Sequence, residues 1–307
     1  MNKEYHRPVL LKEVLEGLNI QRCGTYFDGT AGGGGHSRAM LEANPSVRLI
    51  ATDKDAEAIK AAGERLKEFS GRYELVKTDY KNYDSVLDRL GVEKLDGFLL
   101  DLGISSHQID DRTRGFSYMK ADAPLDMRMD RENAFTAEQV VNEYSEETLK
   151  QIIKEYGEEK FAANVARNIV LKRPVRTCGE LKRIIEESIP AKFRSAACAR
   201  QTFQAIRIEV NGELNGLGEC VKGLTRRLKS GGRACVITFH SLEDRIVKNV
   251  FSELSTECTC PKYFPICVCG KKKEVELVNK KPITASEEEL KENTRSKSAK
   301  LRIACKL

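Results

Sequence analysis

The chain has 307 residues, 40% of them hydrophobic and 32% charged, the balance of a water-soluble globular protein with one large α/β domain or two ordinary ones. No apolar run approaches the ~20 residues of a transmembrane helix, and residues 1–8 lack the apolar stretch of a secretory signal, so neither a membrane protein nor an exported one is expected. The ten cysteines are mostly isolated within apolar patterns, which points to free thiols in a reducing cytoplasm rather than to a disulfide framework.

Residues 9–20 carry apolar positions at helical spacing. Thr25–Asp28 reads as a strand, followed by four glycines, Gly32 to Gly35, then His36 and a short helix that stops near Asn44-Pro45. Further strands are expected at Arg48–Asp53, Tyr73–Thr78 and Leu95–Asp101, with helices at Asp55–Phe69 and Tyr83–Leu90 between them. Near-continuous apolar strands alternating with helices imply a parallel sheet covered on both faces. The rhythm stops over 107–130, which is polar and irregular. A helical block follows, with capping-box spacing at Thr136-x-x-Gln139 and Thr177-x-x-Glu180. From Phe203 to Leu228 apolar residues recur at steps of three and four, a long amphipathic helix with Gly212 as the place for a break. Strand and helix then resume at Arg233–Phe239 and Ser241–Leu254, and last strands are expected at 274–278 and 301–305. The organisation is therefore a discontinuous α/β domain, residues 1–107 and 212–307, with an inserted, mainly helical domain at 108–211.

The glycine block lets a ligand approach the backbone closely, and Asp53, at the tip of the second strand, stands where a carboxylate commonly takes ribose hydroxyls. Asp28, Asp79 and Asp101 also end strands, on the edge of an open parallel sheet where ligands bind. Any one of them could equally be a helix cap. The spacing is not G-x-G-x-x-G and no Walker lysine follows, so an adenosyl cofactor suits the loop better than a dinucleotide or ATP. Net charge is +6 and unevenly placed: Phe161–Arg207 holds ten Lys/Arg against three Glu, whereas Asp130–Lys160 holds nine acids against four bases. A basic face of that kind suits a phosphate-bearing partner or is an ordinary solvated helix surface.

Several stretches mix aromatic, amide and charged residues in short order: Asp101-Leu-Gly-Ile-Ser-Ser-His-Gln108, Arg114-Gly-Phe-Ser117, Leu125-Asp-Met-Arg-Met-Asp130, Thr202-Phe-Gln-Ala-Ile-Arg-Ile208 and Phe239-His-Ser-Leu-Glu-Asp-Arg245. Ser241 within the last is well placed to cap the helix after it. With the glycine block and its His36, Pro8-Val-Leu-Leu11 near the start and Asn293–Arg302 near the end, they resemble the RsmH (MraW) family over essentially the whole chain. The one departure precedes Phe203-Gln204, where Ala196–Gln201 lacks the His and Pro usual in the family.

That resemblance implies a class I, Rossmann-like methyltransferase sheet with an inserted helical domain. It implies transfer of a methyl group from S-adenosyl-L-methionine to the 4-amino group of a cytidine in the decoding region of bacterial 16S ribosomal RNA, within an assembled or nearly assembled 30S subunit. Carried over residue by residue, Gly34, Gly35 and His36 line the methionine side of the cofactor, Asp53 takes the ribose hydroxyls, Tyr80 lies by the adenine, and Asp101 and Gln108 complete the pocket. Asp101 with Ser105 and Ser106 are candidates to hold the amine and take up its proton, from their position after the fourth strand. The basic stretch 161–207 and the tail Lys297–Arg302 would hold RNA phosphates. A DNA amine methyltransferase would carry a Pro-Pro-aromatic run where this chain has Asp101-Leu-Gly-Ile, so DNA is not expected. A non-catalytic RNA-binding or ribosome-assembly module on the same fold is the alternative, and the intact glycine block and strand-end acids speak against it. Finally, Cys258, Cys260, Cys267 and Cys269 offer four thiols in twelve residues. They form either a structural Zn²⁺ site, though with C-x-C rather than C-x₂-C spacing, or a dense loop of reduced cysteines.

Overall fold

The apolar runs become a seven-stranded sheet. In the computed structural model, which describes residues 8–21, 23–195, 197–258, 260, 266 and 268–307, the strands are β1 (Thr25–Asp28), β2 (Arg48–Asp53), β3 (Tyr73–Lys77), β4 (Leu95–Asp101), β5 (Leu228–Thr238), β6 (Val275–Leu277) and β7 (Lys300–Lys306). Their order is β3-β2-β1-β4-β5-β7-β6. The first five are parallel, and β7 runs antiparallel to both β5 and β6. Strand order reverses at β1/β4, the switch point outside which open α/β sheets place their ligands. This is the Rossmann-like sheet, parallel in its first five strands, that the sequence resemblance implies.

The helices, in chain order, are α1 (Leu11–Leu18), α2 (Gly35–Ala43), α3 (Ala56–Leu66), α4 (Tyr83–Arg89), α5 (Ser106–Asp110), α6 (Ala137–Glu143), α7 (Glu146–Glu155), α8 (Ala162–Leu171), α9 (Cys178–Ser188), α10 (Arg200–Asn211), α11 (Leu217–Arg226), α12 (Ser241–Ser255) and α13 (Glu287–Glu292). None among the described residues is long and apolar enough to cross a membrane. The chain forms two compact units, one of Met1–Gly103 with Gly216–Leu307, the other of Ile104–Asn215. The division falls outside α5 and α10, whereas a boundary at 107 would cut α5.

The break that the sequence allowed at Gly212 is present, and one expectation changes. The apolar periodicity from 203 to 228 is carried by two helices: α10 ends at Gly212 (φ 56°), and α11 starts after Gly216 (φ 67°). The same period continues on both sides because each helix buries its own stripe, one in each unit. β5 starts five residues earlier than expected: Leu228 pairs with Leu95, and a register shift between Leu95 and Gly97 absorbs Lys229–Gly232, which reads as a turn.

In the sheet unit, Leu49, Leu99, Ile237 and Leu301 from four strands meet Val14 and Leu18 of α1 in one core. The helical unit has a separate core in which Val140, Ile153, Val165, Leu181 and Ile206 come from five helices. Both expected capping boxes form, at Thr136–Gln139 and Thr177–Glu180. The irregular stretch before α6 is held from inside. Arg114 is fully buried, and its Nη2 donates to the carbonyls of Arg128 (3.1 Å) and Met129 (2.9 Å). Asp126 grips Arg128 through two hydrogen bonds, 3.0 and 2.6 Å. Asn211 of α10 accepts from Met129 N and donates to the Met127 carbonyl, both at 2.7 Å. The Arg-Gly-Phe-Ser and Leu-Asp-Met-Arg-Met-Asp motifs are thus the internal frame of this unit.

Gly115 is the tightest point of that frame. Its φ is +69°, and a Cβ there would stand 2.2 Å from the Pro124 carbonyl oxygen and 2.9 Å from the Asp126 amide. Neither backbone can move without breaking the loop. Gly115→Ala is expected to lower stability by about 3 kcal/mol in urea unfolding followed by circular dichroism; a loss below ~1 kcal/mol would show that the loop slides freely.

Candidate active site

The glycine loop is tied down by the acids at the ends of β1 and β2. Asp28 is wholly buried: Oδ2 accepts from Ser37 Oγ of α2 (2.7 Å) and Oδ1 from Thr30 N (3.1 Å). Thr30 hydroxyl donates to Asp28 and accepts from Asp101 N (2.6 Å), which carries the network to β4. Asp53 Oδ2 accepts from Gly32 N and Oδ1 from Asp55 N, each at 2.8 Å. Gly34 closes the loop as the residue before α2, with φ +77°, a region that favours glycine. A Cβ on it would also stand 3.1 Å from Ala62 Cα of α3. The loop therefore lies in a fixed shape between β1, β2, α2 and α3.

His36, in the first turn of α2, is buried. Its Nε2 donates to the Val9 carbonyl (2.9 Å), and Nδ1 faces Asp101 Oδ2 at 3.6 Å, an electrostatic contact longer than a hydrogen bond. With the Nε2 proton committed to Val9, Nδ1 of a neutral ring presents a lone pair to the carboxyl group. A second proton, on one or the other, is what makes the contact attractive.

The acids here are costly to ionise. Burial pushes Asp28 up to about 6 against the hydrogen bonds from Ser37 and Thr30. Burial likewise raises Asp53 to about 6, opposed by the Asp55 and Gly32 amides and aided by the charges of Asp55 and Asp28. Asp101 lies well above the usual carboxylate range, through burial first and then repulsion from Asp28 and Glu243. One of its oxygens, Oδ1, is buried without a hydrogen-bond partner. Three carboxyl groups, with Asp28 repelling both of the others and Asp101 carrying an unsatisfied oxygen, make a site that favours a positively charged ligand.

Of the residues singled out in the sequence, Gly34, Gly35, His36, Asp53 and Asp101 belong to the strand ends and the loop just described. Tyr80 begins the short 3₁₀ turn after β3, with Lys81 Nζ 5.8 Å from its ring centre. Asp79 caps that turn, accepting from Lys81 N (3.0 Å). Ser105, Ser106 and Gln108 belong to the helical unit. Ser105 and Gln108 form the capping box of α5: the Ser105 hydroxyl accepts from Gln108 N, and Gln108 Oε1 accepts from Ser105 N. Ser106 is buried in the first turn of that helix. Lys300 and Arg302, expected on RNA phosphates, instead both pair with Asp244, which Arg302 reaches at 2.6 Å. β7 turns Arg302 inward, so its charge is spent within the sheet unit. Cys267 and Ala196 lie outside the described residues.

The sequence reading missed Glu243. It is almost fully buried, accepts from Phe239 N (2.9 Å) and His240 N (3.3 Å), and bears on Asp101 from the first turn of α12. His240, not Ser241, caps α12: its Nδ1 accepts from Glu243 N (3.4 Å), while Nε2 stands 3.2 Å from Glu243 Oε1. The cap-x-x-Glu spacing was the available signal; histidine is an uncommon cap, which favoured the neighbouring serine.

A model of the MraW methylase family matches residues 3–307. A protein of Clostridium botulinum named ribosomal RNA small subunit methyltransferase H is 53% identical over 98% of this chain and 99% of its own length. One of Agathobacter rectalis, named ribosomal RNA small subunit methyltransferase H 2, is 52% identical over 97% of each.

The raised acids give stability a definite pH trend. Asp28 and Asp53 titrate at about 6 when folded and at 3.8 ordinarily, so the folded chain holds protons that the unfolded chain releases. Their contribution grows as pH falls from 7.5 through 6 and on toward 4, and Asp101 extends the window upward. The melting midpoint of the ligand-free protein is expected to rise between pH 8 and pH 6, and Asp101→Asn to raise it at pH 8 and flatten the trend. Differential scanning fluorimetry measures both, and a midpoint that drops over that interval contradicts the assignment.

Proposed function

The chain belongs to the MraW methylase family, and from that premise we propose that it methylates the exocyclic 4-amino group of a cytidine in the decoding region of 16S ribosomal RNA. It is an S-adenosylmethionine-dependent methyltransferase, and S-adenosylmethionine supplies a methyl group activated by a positive sulfonium. The observation that carries the reading is the crowded set of Asp28, Asp53 and Asp101 beside the glycine loop, whose unmet need is positive charge.

In this reading Gly34, Gly35 and His36 form the wall at the methionine end. Asp53 keeps free lone pairs beyond its two amide bonds and accepts from the ribose hydroxyls. Tyr80 covers the adenine. Asp101 faces the amine. It becomes ionised where a positive charge stands beside it, accepts a hydrogen bond from N4, and so draws the nitrogen lone pair out of conjugation with the ring. It then takes up the amine proton, with His36 Nδ1 as the adjacent acceptor. Ser105 is engaged in the cap of α5, so the proton role falls to Asp101.

A cytidine must leave its stack to be reached, and the helical unit supplies surface suited to RNA. Arg167, Arg183, Lys192 and Arg200 are exposed. Exposed Phe193 packs on Phe161 (ring centres 5.3 Å apart), with Lys192 Nζ 5.0 Å from its own ring centre, a base-stacking platform beside a cation. We assign the substrate as an assembled or nearly assembled 30S subunit in the cytoplasm.

The deciding experiment incubates the protein with methyl-labelled cofactor and small subunits from a strain lacking the enzyme, then maps the label. Label on a single cytidine N4 is expected; label on a ribosomal protein, or none, overturns the reading. Asp53→Ala is expected to raise the KM for the cofactor ~10–100-fold with a smaller change in kcat, as loss of a binding contact does. Asp101→Asn is expected to lower kcat by ~10²–10³. Equal effects of both on cofactor binding alone would reduce Asp101 to a binding residue.

A further inference from the structure

Four cysteines lie within twelve residues between α12 and β6, and nothing in methyl transfer calls for them. Three are among the described residues. The sulfur atoms of Cys258, Cys260 and Cys269 all lie within 4.8 Å of one another, and those of Cys258 and Cys269 are 3.8 Å apart. A disulfide needs about 2.05 Å. Thiolates held at ~2.3 Å around one tetrahedral zinc ion stand about 3.8 Å from each other along every edge of the tetrahedron. The separation is that of sulfurs sharing a metal.

The backbone supports the same arrangement. Cys260 N donates to Cys258 Sγ and Val268 N donates to Cys260 Sγ, both at 3.3 Å. Amide donors aimed at sulfur stabilise it as thiolate, the form that binds metal. They also show how a C-x-C turn, shorter than the usual C-x₂-C, brings its two sulfurs to one point. Apolar burial does not explain the convergence: Ile266 is 75% and Val268 72% exposed. The three thiols converge while Ile266 and Val268 stay exposed. Lys271, Lys272 and Lys273 follow directly and offset the negative charge of a thiolate-rich centre.

We propose that Cys258, Cys260 and Cys269 are ligands of a structural Zn²⁺ ion in the connection between α12 and β6. The sequence offers Cys267 as the fourth thiolate. Each ligating thiol loses its proton to solvent as its Zn–S bond forms, so no oxidant or reductant is involved. An all-thiolate set is the chemistry of a structural rather than a catalytic zinc site.

The test is the metal content of the full-length protein, purified under reducing conditions and dialysed, by inductively coupled plasma mass spectrometry. About one zinc per chain is expected. The double variant Cys258→Ser, Cys269→Ser is expected to lose it, and Cys23→Ser, altering an exposed thiol elsewhere, to keep it. Substitution of the wild-type metal by Co²⁺ is expected to give the intense visible d–d bands of a tetrahedral thiolate site. Independently of any variant, a chelator is expected to open residues 258–273 of the wild-type protein to limited proteolysis, with the sheet unit remaining intact. Wild-type protein that holds no zinc even after reconstitution with zinc chloride, or a double variant that retains it, overturns the proposal.

Discussion

Asp28 ends β1 inside the protein, where a carboxylate persists only if its oxygens are hydrogen-bonded. Ser37 and Thr30 provide those bonds, and in doing so they fix α2, the glycine loop and, through the Thr30 hydroxyl, the backbone of β4. Asp53 repeats the device from β2 by holding Gly32 N. The loop owes its shape to these acids as much as to its glycines. Their burial has an electrostatic cost, visible in the raised titration of Asp28, Asp53 and Asp101, and a cationic ligand relieves it. Holding the loop and attracting a positively charged cofactor are thus two effects of one cluster.

The helical unit follows a parallel logic with the opposite charge. Arg114 is buried and spends its guanidinium on backbone carbonyls, while Asn211 ties the irregular stretch to α10 from the other side. Arg173 and Arg207 are likewise committed, the first to the carbonyls of Val141 and Tyr144, the second to Glu213 in a bidentate pair. What remains for a polyanion is the exposed subset of the basic stretch, not the whole of it.

The parallel strands were legible because a strand buried on both faces must be apolar almost throughout, and β1, β2 and β4 appear with the expected bounds. Capping boxes were legible for the same reason, since their chemistry is local. Features that depend on distant partners were not. Periodicity alone could not show that α10 and α11 belong to different units, and Lys229–Gly232 resembles a turn until Leu95 is seen opposite Leu228. A polar motif such as Arg114-Gly-Phe-Ser looks the same in sequence whether it faces a ligand or its own core; only burial tells them apart. Lys300 and Arg302 looked available because Asp244, over fifty residues earlier, is their partner. The repulsion between Asp28, Asp101 and Glu243 exists only once β1, β4 and β5 are side by side.

The adjacency of β4 and β5 has a consequence for how the protein comes to be folded. These strands are neighbours in the sheet, yet the entire helical unit, Ile104–Asn215, separates them in the chain. Pairing them while that segment is still a coil means closing a very long loop, with the entropic penalty and slow search that non-local contacts entail. The inserted unit has a core of its own, so its helices can condense before these strands meet. Pairing of β4 with β5 is thus the contact of the parallel sheet with the largest loop-closure cost.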